Sequence, residues 1–430
     1  MKDIRLGALA LLAMAAAVFC APSAYAAGSA IPTYSHDIAP IIYQNCSSCH
    51  HQGQVAPFAL MSYADVQQHA GTIAAVTASR YMPPWKAAHE NGTFIDERRL
   101  TTAQIDLIQR WVKAGEPIGN KAAIPSPPTF ASGWLMGKPD VIFKPDRAYH
   151  LAASGGDVYR CFVIPTNYTS DRWVKTVEVR PGNPRVVHHV IVYLDTTGKA
   201  AQLAAATHDG QPGYIHFGGP GVPATGSLGG WAPGTMPMTM PQGVGMLLPK
   251  GAALVVQVHY HKDGKAETDL TQVGVNFCTR PVQKKMNIAA LAYPGLYIPA
   301  GDANYTVHAD LPIPANVHLF SLFPHMHLLG HTMVVTATLP GGKTVPVIDI
   351  DNWNFNWQGF YTFKHELALP AGTVLHMTAT YNNSASNPFN PNNPPKLVRW
   401  GEQTTDEMCL CFLLYTVDGQ HLGASIAYSK

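Results

Sequence analysis

From about Gly133 to its end the chain is written as short runs rich in Val, Thr and aromatic residues, closed at intervals by Gly, Pro or Asn. Such runs pack as half-buried β-strands, and breakers at that spacing leave no room for long helices. Residues 174–179, 186–194, 254–260, 317–323, 333–339, 374–381 and 408–415 read as strands, with Pro340-Gly341-Gly342 as a hairpin turn. About 290 residues of this kind exceed one ordinary β-sandwich, so two stacked all-β sandwich domains are expected, over 133–282 and 283–430.

Upstream the periodicity is helical. Residues 37–46 place Ile38, Ile41 and Ile42 on one face, and 62–79 can form a second helix. Thr101 with Gln104 makes a capping box for a third, whose Ile105, Ile108, Trp111 and Val112 share a stripe before Gly115 closes it. A small all-α domain is therefore expected over 27–121, with 122–132, rich in Pro and Ala, as linker. Residues 1–26 read as a secretory signal peptide. Lys2 and Arg5 precede an apolar run from Leu6 to Ala21, and Ala24-Tyr25-Ala26 ends it, so Cys20 leaves with the signal and Ala27 starts the mature chain. Nothing later approaches the ~18 apolar residues of a membrane span, which gives a periplasmic or secreted protein. With 29 Lys+Arg against 27 Asp+Glu, there is no basic field to hold nucleic acid.

Cys46-Ser47-Ser48-Cys49-His50 has the spacing of covalent haem c attachment, in which two thiols reach the vinyl groups and the next residue offers its imidazole to the iron. The rival reading, a redox-active CxxC pair, lacks a βαβ setting. A second axial ligand is sought in Arg80-Tyr81-Met82-Pro83-Pro84-Trp85, where two prolines stiffen the loop after Met82; His51, His69 and His89 are competitors. Through CSSCH and this loop the segment resembles class I cytochrome c domains, which implies electron transfer at an iron closed to small molecules.

Three of the chain's histidine groups are patterned: His188-His189, His259-Tyr260-His261 and His325-Met326-His327. His36, His150, His208, His376 and His421 have no such partner. Residues two apart on a strand share a face, so His325 and His327 can converge on one ion. His188 and His189 face opposite ways on a regular strand, and sharing a metal requires a bulge or a strand end there. Imidazoles with a thioether suit copper better than zinc, which usually recruits thiolate or carboxylate.

In order along the chain, HHV, GGWAPG (residues 229–234), VHYH, HMHLLG, TATYN (378–382) and DEMC (406–409) resemble the copper type II, ascorbate-dependent monooxygenases, the family of dopamine β-hydroxylase and the peptidylglycine α-hydroxylating enzyme. The resemblance implies two jelly-roll sandwiches with a copper on each. His188, His189 and His259 would bind the electron-transferring copper, and His325, His327 and Met408 the catalytic copper where oxygen is activated. His261 is not carried over as a ligand. Phe323, Leu410 and Phe412 stand where peptide-amidating members hold a carboxylate with Arg, Asn and Tyr, a departure that speaks against peptidylglycine and for an apolar or aromatic substrate. Cys161 and Cys278, both in the first β domain, are expected to form a disulfide, and Cys409 and Cys411 to remain buried thiols. The expectation as a whole is an exported copper monooxygenase that takes O2 and a small-molecule substrate, with electrons from a periplasmic donor passing through the fused cytochrome. The alternative is a copper-storage or electron-transfer protein without oxygenase activity.

Overall fold

The computed structural model of the protein describes residues 30–54, 56–88, 93–130 and 133–422. The signal peptide with Cys20, and His89, lie outside the described residues.

A turn at Tyr34–Ile38 leads into helix α1 (Ala39–Asn45), followed by α2 (Tyr63–Gln68), α3 (Ala70–Ala78) and α4 (Thr102–Lys113). The single helix expected over 62–79 is two, because His69 leaves helical geometry at φ −110°, ψ 10°. Thr101 Oγ1 accepts from the Gln104 amide while Gln104 returns a bond to the Thr101 amide, so the capping box starts α4 as expected. Gly115, at φ 80°, closes it. Ile38, Ile42, Val66, Ile73, Ile108 and Trp111 form the core of this unit.

The first sandwich opposes a sheet in the order Tyr214–Ile215, Val158–Pro165, Ala253–Tyr260, Val187–Asp195, Gly226–Trp231 to one in the order Val141–Phe143, Gln272–Phe277, Arg172–Arg180, Val244–Leu248, Lys284–Lys285. Val190, Val192, Val256 and Val258 from one sheet meet Val174, Val177, Met246 and Val275 from the other, the period-two packing that the β runs require. The second sandwich opposes Asn287–Ala292, Leu410–Val417, Val317–His325, Tyr361–Leu369 to Tyr305–Pro312, Val374–Tyr381, Gly330–Thr338, Thr344–Ile350. The Pro340-Gly341-Gly342 turn joins the last two of these, both glycines at positive φ. Phe320 and Leu414 of the second sandwich pack into the core of the first, so the two share a seam.

Two features depart from the sequence reading. Cys161 and Cys278 are free thiols, not a disulfide. Cys161 lies under helix α5 (Lys199–Ala206) with Tyr214 and Val255, whereas Cys278 packs with Trp173 and Val282 beyond the end of a strand in the opposing sheet. Cys409 and Cys411 are buried and free. Second, the chain between α3 and α4 leaves the helical unit. Ala87 pairs with Ile350 and Phe94 with Phe363, and Ala87 and Phe94 are buried in the core of the second sandwich. Among the described residues no helix is long and apolar enough to cross a membrane.

Candidate functional site

Two histidine clusters form where the sandwiches meet. In the first, one ring nitrogen each from His188, His189 and His259 lies within 4.8 Å of the others. His259 pairs with His189 across the strands, but the next residue, Tyr260, pairs with Val187, so His188 is the extra residue of a β-bulge. The bulge turns two neighbouring side chains toward one point, and their Nδ1 atoms stand 3.2 Å apart. On the adjoining strand, Gly230 is required for close approach, since a Cβ there would meet the Val190 carbonyl oxygen at 2.3 Å.

His259 is almost wholly buried, its Nε2 2.8 Å from Asp157 Oδ2. Its ring stacks on Tyr159, centroids 4.1 Å apart, while its Nδ1 is buried without a hydrogen-bond partner. An orphaned buried nitrogen is uncommon in a native interior. Here it belongs to a trio of imidazoles that face one point. Burial, followed by the nearby His259, pushes His188 down to about 4 and His189 well below its ordinary value, so both rings are neutral. Three imidazoles in reach of one point, one of them oriented by a carboxylate, fit a soft or borderline cation. His261 lies outside the trio, exposed, with its Nδ1 2.9 Å from the other oxygen of Asp157.

The second cluster is His325 and His327. His325 ends its strand and His327 lies in the turn beyond it, their rings 5.1 Å apart at 81°. Each ring has its Nδ1 engaged, His325 by Gln358 Oε1 at 2.6 Å and His327 by the Asp406 carbonyl at 3.1 Å, which leaves both Nε2 atoms for an ion. Burial lowers both, His327 to about 3 with the help of neighbouring His325. The strand expected at 408–415 begins at Leu410, because Glu407 holds the preceding residues in a loop. Its fully buried carboxylate takes the Leu329 amide on Oε1 at 2.6 Å and the amides of both His327 and Met408 on Oε2, at 2.8 and 3.2 Å. Met408 is thereby tied to the same turn as His327. Beside His325, Phe323 faces Phe412 across the strands and Leu410 faces His325, with Phe360 packed on Phe323 at 5.0 Å.

Asp157, Gln358 and Glu407 are the residues that sequence reasoning missed as positioning groups. Only Glu407 carried a signal, since it stands inside the DEMC motif.

In the helical unit Cys46 and Cys49 are both free, and the His50 amide donates to the Cys46 carbonyl at 3.0 Å, closing one turn over the motif. His50 Nδ1 meets the Phe58 carbonyl at 3.1 Å and burial keeps the ring neutral, leaving Nε2 available. A cavity of about 370 Å³ opens between Ser48, Cys49, Gln54 and, from the first sandwich, Glu178, Arg180 and Trp231. Met82 is half-buried on the loop after α3, its amide on the Val76 carbonyl. His51 is engaged elsewhere, bonded to Ser47 and stacked on Phe130.

Residues 302–427 match the family model of the copper type II ascorbate-dependent monooxygenase C-terminal domain. Over 102 residues the chain is 28% identical to DBH-like monooxygenase protein 1 of Homo sapiens, a match covering 24% of this chain and 15% of that protein, so it spans less than a sixth of the relative's length. Among solved structures, the major capsid protein P2 of bacteriophage PM2 is similar over 64% of this chain and 97% of its own at 8% identity, with a TM-score of 0.25. The infectious bursal disease virus VP2 subviral particle is similar over 67% and 74% at 10% identity, with a TM-score of 0.20. Likeness at these scores decides nothing. The family match encloses His325, His327 and Met408 and supports a copper-dependent oxidoreductase domain there; His188, His189 and His259 precede it.

Proposed function

We propose that the chain is an exported copper monooxygenase that uses O2 to hydroxylate a C–H bond of an apolar or aromatic small molecule, with electrons delivered through a haem c on the helical unit. The observation that carries the reading is the orphaned His259 Nδ1 in a trio of converging imidazoles, set beside a second histidine pair that lies within a copper monooxygenase family match.

His188, His189 and His259 would hold one copper, and His325, His327 and Met408 the other, on two sandwiches of the jelly-roll kind. Copper supplies one-electron redox chemistry and activation of O2 when bound. The protein's part is to aim and isolate. Asp157 orients His259, Gln358 and the Asp406 carbonyl orient His325 and His327, and the Met408 thioether favours the reduced metal. Phe323, Phe360, Leu410 and Phe412 offer an apolar wall beside His325, which suits an uncharged substrate and would leave a carboxylate desolvated without a partner. Cys46 and Cys49 would carry the haem by thioether bonds, with His50 and Met82 as axial ligands, fed by a periplasmic donor protein. The leader residues 1–26 support export.

Metal analysis of the purified chain should find two coppers and one covalent haem. With a reductant, oxygen uptake should rise when an apolar aromatic substrate is added and match the hydroxylated product formed. Copper-loaded protein that consumes no oxygen under a broad substrate screen would point to storage, and a preference for zinc under copper-replete loading would overturn the metal assignment.

A further inference from the structure

One side chain touches both histidine clusters. The ring of Phe355 lies face to face on His188, centroids 5.0 Å apart and planes within 17°. The same ring meets the His327 ring at 5.8 Å and 81°. A single aromatic ring is therefore in contact with a histidine of each cluster.

The loop that carries Phe355 is pinned on both sides of it to the second cluster. Before it, Trp353 Nε1 donates to the His327 carbonyl at 3.0 Å. After it, Gln358 Nε2 donates to the carbonyl of Phe355 itself at 2.8 Å, while Gln358 Oε1 is the group that holds His325 Nδ1. Asn354 closes the turn with bonds to Asn356 and Trp357. The ring thus moves as part of the second cluster, and what it presents to the first is a flat apolar face against His188.

We propose that Phe355 is a positioning residue that sets the spacing between the two copper sites, and with it the coupling between them, by acting as a rigid spacer between His188 and His327. The proposal rests on the copper reading above. Its chemistry is geometric. Removing the ring would open a space lined by histidines, roomy and polar enough to take in water, and would free His188 to turn within its bulge. Through-space coupling between two unpaired spins falls steeply with separation and with scatter in that separation, so the spacer has a direct physical readout.

The test uses the full chain loaded with Cu(II) alone, with copper content measured first and the distance between the two spins, with its spread, then read from the dipolar splitting and half-field transition of the electron spin resonance spectrum. The parent should hold two coppers per chain and give one narrow distance distribution. Phe355→Ala should keep two coppers while the distribution shifts or broadens, and kcat should fall at least tenfold with little change in KM. Phe355→Tyr, which keeps the ring, should restore the narrow distribution. If Phe355→Ala does not fold, Phe355→Leu, which keeps bulk without a planar ring, takes its place in the comparison. An unaltered distribution in the variant overturns the proposal, as does an altered distribution with unaltered kcat. A parent that binds fewer than two coppers overturns the copper reading first, and the proposal with it.

Discussion

His259 and Asp157 lie 102 positions apart in the chain, yet the Asp157 carboxylate holds His259 Nε2 at 2.8 Å and so commits Nδ1 to the side of His188 and His189. Partners of this kind fix ring orientation and raise ligand basicity, and their loss lowers metal affinity about 10- to 100-fold. Asp157→Ala should weaken one of the two coppers by that factor and leave the other unchanged in a competition titration against a chelator. Equal affinities in variant and parent would detach Asp157 from the site.

Met408→Ala should abolish hydroxylation while the fold and the first copper remain, since the Met408 loop is held through its backbone amide by Glu407 rather than by the Met408 side chain. If turnover survives within about tenfold, a barrier change of only ~1.4 kcal/mol, Met408 is packing and not a ligand.

Glu407 has a different role. Its carboxylate satisfies three buried amides, those of His327, Leu329 and Met408. Glu407→Ala leaves them without an acceptor at about 1–3 kcal/mol each. Calorimetry should show the melting temperature of the second sandwich falling by several degrees, and an unshifted melting curve is the contrary result.

The haem assignment is checked by Met82→Ala. The parent should show the absorption of a low-spin, six-coordinate haem, and the variant a high-spin spectrum or one with a new ligand. An unchanged spectrum passes the axial role to one of the competing histidines, His51, His69 or His89.

A pH effect on stability is expected at Asp209. Two bonds from the buried Arg160 guanidinium, at 2.5 and 3.0 Å, hold its carboxyl down to about 2 from an ordinary 3.8. A depressed carboxylate contributes stability that is fully present above the unfolded value and is lost as pH falls through the folded one. The difference in urea midpoint between the parent and Asp209→Asn should therefore be constant above about pH 4 and vanish toward pH 2. Asp209 is partly exposed, so water and salt screen the pair, and the difference should also shrink in high salt. A difference that is the same at pH 5 and pH 2 would show that the pair does not titrate with folding.

What could be read from the chain was whatever is local or periodic. The Thr101 capping box, the Pro340-Gly341-Gly342 turn and the β runs each depend on a few neighbouring residues; the box and the turn are found where expected, and the strands lie within a few residues of their expected bounds. The demand that His188 sit in a bulge followed from its being next to His189, and the register slip occurs there. Asp157 and Gln358 were out of reach, because a lone polar residue far along the chain from its partner has no spacing to give it away. Cys161 and Cys278 misled for the opposite reason. Membership of one domain was taken for proximity, whereas a sandwich has two sheets and the cysteines occupy separate clusters of it.

The backbone bridge between Phe94 and Phe363 also orders the protein in time. At translation rates of about 5–20 residues per second, the strand that receives Phe94 is made roughly 15 to 50 s after Phe94 itself. The segment bearing Trp85, Ala87 and Phe94 cannot be buried during that wait, since the sheet it joins does not yet exist. A stretch made early in the chain is therefore finished late. A chain halted before residue 350 would carry that aromatic arm unburied, a natural handle for a chaperone and a first point of attack for a protease.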